Sequence, residues 1–142
     1  MKKQMVTAVF PLRGQPPHIG HIITIVNIYD DYDKIILYVL DNPGKYHSPK
    51  EFIMPPEEVA NIFKKIFKHM PKIEVIIGSK HFRDATSFDG LPEFDILVTG
   101  NEDLIKGLKI KIPVRFVPRS TIHGYDINGT LLRNLMRDQL KE

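Results

Sequence analysis

The sequence contains no cysteine, which excludes disulfides and thiolate metal centres and is in keeping with a cytoplasmic chain. No apolar run could cross a bilayer: the longest apolar segment, Lys34 to Leu40, falls far short of the roughly 20 residues a spanning helix needs. The opening Met-Lys-Lys-Gln leads into a short β-like run, not into a signal-peptide core with a small-residue cleavage site. There is no internal repeat, no low-complexity tract and no linker. A strong excess of one charge is also missing. The formal net charge is +3, and the basic residues are scattered along the chain, so a nucleic-acid partner is not expected. What is present is 142 residues, 42% hydrophobic and 26% charged. That composition can bury the core of one domain, taken here as residues 1–142.

Four short, β-branched segments read as strands covered on both faces: Met5–Phe10, Lys34–Leu40, Ile73–Ile77 and Asp95–Thr99, with a shorter fifth at Val114–Val117. Helical periodicity falls between them. His21–Tyr29 spaces Ile22, Ile25, Val26 and Tyr29 along one stripe. Pro56–Lys68 opens on proline and two glutamates and aligns Val59, Ile62, Phe63, Ile66 and Phe67. Asn101–Lys109 carries Leu104, Ile105 and Leu108, and a last helix from Gly129–Thr130 carries Leu131, Leu132, Leu135 and Met136. Alternation of this kind predicts an α/β fold, a Rossmann-like doubly wound sheet of five parallel strands. Ligands of such sheets sit beyond the carboxyl ends of the strands, where the strand order reverses.

Directly after the first strand stands Pro11-Leu12-Arg13-Gly14-Gln15-Pro16-Pro17-His18-Ile19-Gly20-His21. The prolines stiffen this loop, and Gly20 allows a tight turn or the close approach of a ligand. The first turn of the helix that follows offers unpaired N–H groups and partial positive charge, which suit a phosphate. His18 and His21, three residues apart, share a face of that turn and can both donate to phosphate oxygens, more strongly when protonated. A zinc site on His-x-x-His finds no third ligand nearby, so no residue is assigned to a protein-held metal. Near the other end, Ile127-Asn128-Gly129-Thr130-Leu131-Leu132-Arg133 precedes an amphipathic helix. Thr130 suits its N-cap or first turn, and Arg133 follows on the same face.

Arg13-x-Gln15-Pro16-Pro17-His18-x-Gly20-His21 resembles the signature loop of nucleotidyltransferases, Gly-Arg-Phe-Gln-Pro-x-His-x-Gly-His. The form with Arg and Gln-Pro is most similar to archaeal-type nicotinamide-nucleotide adenylyltransferases. Leu12 stands where that family has Gly, and Gly14 where it has Phe. The Ile127–Arg133 stretch resembles the family's Ile-Ser-Gly-Thr-x-Ile-Arg, and Thr99-Gly100-Asn101 its Thr-Gly-Asn step, although Asn101 reads equally well as a helix N-cap. His-Ile-Gly-His also occurs in class I aminoacyl-tRNA synthetases, whose Lys-Met-Ser-Lys-Ser motif is absent here.

The resemblance implies transfer of a nucleoside monophosphate, AMP from ATP, to a small phosphorylated acceptor such as nicotinamide mononucleotide, with release of pyrophosphate. It implies catalytic roles for His18, His21 and Arg133, and nucleotide contacts from Arg13, Gln15, Gly20, Asn101, Gly129 and Thr130. Magnesium would arrive with the triphosphate. Cytidylyltransferases and pantetheine-phosphate adenylyltransferases share the pattern, and a nucleotide-binding module without catalysis is the alternative from another class. Such domains commonly assemble as homo-oligomers. Lys45, Tyr46 and His47 occupy a loop suited to substrate contacts. Phe82, Arg83 and Phe88 read as acceptor-pocket or loop-packing residues, Arg119 as a further phosphate ligand of uncertain register, and His69 and His81 as incidental.

Overall fold

Parallel pairing organises the chain around its first strand. The computed structural model describes residues 5–118 and, beyond them, only the backbone pairing of Thr121–Ile122 with Tyr125–Asp126. The strands are β1 (Thr7–Leu12), β2 (Lys34–Leu40), β3 (Ile73–Gly78), β4 (Ile96–Thr99) and β5 (Val114–Phe116). They form one sheet in the order β3-β2-β1-β4-β5, with every pairing parallel. The helices are α1 (Ile19–Ile28), α2 (Pro56–Ile66) and α3 (Glu102–Gly107). The expected doubly wound Rossmann-like α/β architecture is therefore the observed one. A small antiparallel pair, β6 (Thr121–Ile122) and β7 (Tyr125–Asp126), follows.

Strand residues alternate between two cores, as a two-residue side-chain period demands. Ala8, Phe10 and Leu12 with Ile35, Leu37 and Val39 face α1 and α2, and meet Ile25, Ile28, Val59 and Phe63. Val9, Ile36, Tyr38 and Leu97 face the other way, onto Phe82, Leu104 and Leu108. One side thus carries two crossover helices, and the other carries α3 and the β3–β4 connection. Asp33 and Asp95 tie down the start of β1, accepting from the backbone N–H of Val6 at 2.7 Å and of Thr7 at 2.8 Å.

Three expectations need correction. β3 is an edge strand with no buried residue, and Ile77 is exposed, so it is not covered on both faces. Val26 of α1 is exposed and Ile28 is buried in its place, because apolar residues surround that helix and leave its inner face undefined by pattern. β1 continues through Pro11 to Leu12. Its ladder with β4 uses only Ala8 and Val9, so Pro11 lies past that pairing and its missing N–H interrupts nothing there.

Candidate active site

The strand order reverses between β1 and β4, and a cleft of about 230 Å³ opens at that point, above the carboxyl ends of β1, β2 and β4. Leu12, Leu40 and Thr99 mark those strand ends on its lining. Among the described residues no carboxylate belongs to the lining.

The first loop supplies one wall. His18 is the N-cap of α1, and its Nδ1 accepts the backbone N–H of Gly20 at 3.0 Å. His21 returns the arrangement: its Nδ1 accepts the His18 backbone N–H at 3.3 Å. This is a capping box made of two imidazoles, an unusual replacement for the hydroxyl and carboxylate that normally share the task. The rings stack with centroids 3.7 Å apart, and both line the cleft. Because each Nδ1 is an acceptor, each neutral ring carries its proton on Nε2 and keeps one N–H donor. Burial lowers the pKa of His18 to about 4. Burial, then the charges of His18 and Arg13, lower that of His21 to about 3. The pair is therefore neutral near pH 7 before any ligand arrives; the stronger, protonated donors envisaged from sequence are not the resting state.

Gly20 lies within the first turn of α1, buried and on the cleft lining; its backbone is helical and needs no positive φ. Its carbonyl accepts the Thr24 hydroxyl at 2.9 Å. The residue that does need φ > 0 is Gly14, at 63°, where an added Cβ would come within 2.5 Å of Val59 Cγ1 on α2. Glycine is therefore required at 14 by both conformation and packing.

Arg13 lines the cleft, and its Nη1 pairs with Glu51 Oε2, which also lies 3.3 Å from His47 Nδ1. Burial first, then the Arg13 charge, lowers the His47 pKa to about 4, against the upward pull of Glu51. Gln15 is buried beside the cleft, but its amide faces backbone: Nε2 donates to Met54 O at 2.8 Å and Oε1 accepts Met54 N–H at 2.7 Å. Its visible task is to pin the segment before α2 against the first loop. The Gln15–Pro16 peptide is cis. Asn101 lines the cleft and caps α3 through Oδ1, which accepts from the backbone N–H groups of Asp103 and Leu104. Gly129, Thr130 and Arg133, with Arg119, lie outside the described residues.

The opposite wall comes from the loops after β2 and β3, where Tyr46, His47, His81, Phe82 and Arg83 all border the cleft. His81 was read as incidental and is instead buried at this wall. Only its position three residues past the end of β3 could have signalled that. Phe88 is exposed, lies near Phe94, and does not border the cleft.

Neither a family model nor a curated protein matches the sequence. Solved structures do match the fold. A bifunctional NMN adenylyltransferase/ADP-ribose pyrophosphatase from Francisella tularensis, complexed with AMP and a manganese ion, superposes with a TM-score of 0.64 at 14% identity over 95% of this chain. The alignment spans only 42% of that bifunctional protein. A Vibrio parahaemolyticus chain provisionally described as a nicotinate-nucleotide adenylyltransferase gives 0.60 at 16% identity, covering 96% of this chain and 89% of its own. An Archaeoglobus fulgidus protein of unknown function gives 0.53 at 17% identity, with 87% and 100% covered. The chain has the fold of these adenylyltransferases. No helix among the described residues is long and apolar enough to cross a membrane.

Proposed function

We propose that the chain is a nucleotidyltransferase, moving AMP from ATP to a small phosphate-bearing acceptor, nicotinamide mononucleotide being the leading candidate, with pyrophosphate leaving. The observation that carries this reading is the stacked His18–His21 pair at the N-terminus of α1, facing a cleft at the sheet's switch point that is lined by no carboxylate among the described residues.

Attack of an acceptor phosphate on the α-phosphorus, in line with departing pyrophosphate, needs alignment and charge stabilisation more than covalent help. Two Nε2–H donors supply that stabilisation without bringing fixed positive charge into a partly buried wall. As negative charge gathers on the phosphate oxygens, the same imidazoles become easier to protonate, so their hydrogen bonds strengthen along the reaction. Arg13, braced by Glu51, stands beside them to hold the triphosphate. Arg133, Thr130 and Gly129 are assigned to the same triphosphate on the sequence motif alone. Gly100 and Asn101 close the site from the end of β4.

No group of three or more metal-ligating side chains occurs among the described residues, and the cleft lining is cationic or neutral. That donor set fits a divalent ion carried by the triphosphate with water ligands, and magnesium bound in this way would neutralise oxygen charge on the nucleotide. Pyrophosphate release from ATP or CTP, measured across a panel of phosphorylated and unphosphorylated acceptors, tests the reading. Release that depends on ATP and a phosphorylated acceptor is expected; none with any pair would refute it.

A further inference from the structure

The wall facing the histidine pair is built around Tyr46, and the transfer chemistry makes no use of it. The Tyr46 hydroxyl donates to Asp84 Oδ1 at 2.5 Å, which fixes the ring. Arg83 Cζ lies 4.5 Å from the ring centroid, and the His81 ring lies 5.4 Å from it. The Arg83 stem packs where α3 ends: a Cβ on Gly107 would meet Arg83 Cδ at 3.3 Å. The guanidinium therefore lies over an aromatic face, and its stem packs against a helix end. Among the described residues no carboxylate pairs with it, although it borders the cleft and is half-buried. A positioned planar cation with unspent edge N–H groups matches a phosphate dianion.

His81 complements it. Its Nε2 lies 3.1 Å from the Asn42 carbonyl oxygen and 3.0 Å from Asn42 Oδ1. The Asn42 amide nitrogen donates to Asp41 Oδ1 and to Ser79 O, so the orientation of Oδ1 toward His81 is set. Two oxygens on Nε2 require the proton to sit there, which leaves Nδ1 an acceptor in the neutral ring. Nδ1 has no protein donor among the described residues, and His81 borders the cleft. Arg83, the more distant Lys45, whose Nζ lies 5.9 Å from the centroid and pairs with Asp84, and one imidazole acceptor flank a single aromatic ring, which suits a ligand with a phosphate and a hydroxyl.

We propose that Arg83 and His81 form a sugar-phosphate subsite, in which Arg83 binds the phosphate and His81 Nδ1 accepts a sugar O–H. Calling its ligand the acceptor rests on the transfer reading; the binding itself does not. The test is equilibrium calorimetry on the full chain with nicotinamide mononucleotide, its dephosphorylated riboside, and ATP. The mononucleotide binds at least about tenfold more tightly than the riboside, as a charge-assisted pair provides. Arg83→Gln removes about tenfold of that preference and leaves ATP affinity unchanged, Arg83→Lys restores part of it, and His81→Phe weakens mononucleotide and riboside alike. A preference that survives Arg83→Gln, a loss that falls on ATP instead, or no binding of either acceptor ligand overturns the subsite. Arg83-dependent preference without pyrophosphate release in any assay upholds the subsite and removes the transfer reading; release without Arg83 dependence does the reverse.

Discussion

His18 and His21 cap one helix for each other. The Nδ1 of His21 accepts the backbone N–H of His18, while His18 Nδ1 accepts that of Gly20, and the rings lie 3.7 Å apart. A structural duty and a chemical one are thereby placed on opposite nitrogens of the same rings. His18→Asn separates them, because asparagine is a good N-cap but brings no Nε2–H to the cleft. Pyrophosphate release is expected to fall about 10²-fold in this variant, as loss of a transition-state donor does, with the melting temperature nearly unchanged. His21→Ala should lose at least as much turnover. An active His21→Ala enzyme would contradict the assigned role.

The depressed pKa values set a direction for acid stability. His18 and His47 are held to about 4 and His21 to about 3, mainly by burial, against about 6.5 in an unfolded chain. Above pH 6.5 these rings are neutral in both states and their contribution is complete. As the pH falls below 6.5 the unfolded chain takes up protons first, so stability declines until the folded pKa values are reached near 4 and 3. Each unit of depression corresponds to about 1.4 kcal/mol. Urea midpoints measured from pH 7.5 to 4 should fall, and His21→Gln should flatten the slope. A polyanion in the cleft opposes the depression, so ATP binding is expected to take up a fraction of a proton below pH 6.5, seen as buffer-dependent calorimetric heats.

Much of this site was legible from residue type and place. Pro-Pro, Gly and two histidines after the first strand are hard to assign to packing alone, and the sheet puts them at its switch point. Periodicity failed where burial is one-sided or uniform. β3 is rich in isoleucine yet lies at the edge, and α1 is apolar all round. Long-range pairings were invisible for a different reason. Gln15 meets Met54, and His81 meets Asn42, 39 residues away in each case. Only folding brings these partners together, so motif reading saw Gln15 without its Met54 partners and read His81 as incidental.

Gln15 therefore makes a prediction of its own. Both ends of its buried amide satisfy the Met54 backbone, and Gln15→Leu leaves a buried N–H and C=O without those partners. The expected cost is about 1–3 kcal/mol of stability. Turnover at saturating ATP should persist at temperatures where the variant is folded. A selective rise in the KM for ATP with unchanged unfolding midpoint would instead make Gln15 a nucleotide ligand.

Gly78 ends β3 beneath the ring of Tyr38, and a Cβ there would overlap ring atoms on the neighbouring strand. Tyr38 has little room to move, for it is buried and its hydroxyl donates to Lys80 O at 2.8 Å. Gly78→Ala must therefore displace either the ring or the strand end that leads to His81 and Arg83. A loss of about 1–3 kcal/mol is expected, typical of overpacking. Tyr38→Phe removes only the hydrogen bond, at about 1 kcal/mol. Because it leaves the ring in place, it should not relieve the alanine clash, whereas Tyr38→Leu in the Gly78→Ala background should recover part of the loss. Chemical denaturation of the three single and two double variants separates these contributions, and additive losses in Gly78→Ala/Tyr38→Leu would show that the ring is not what the glycine accommodates.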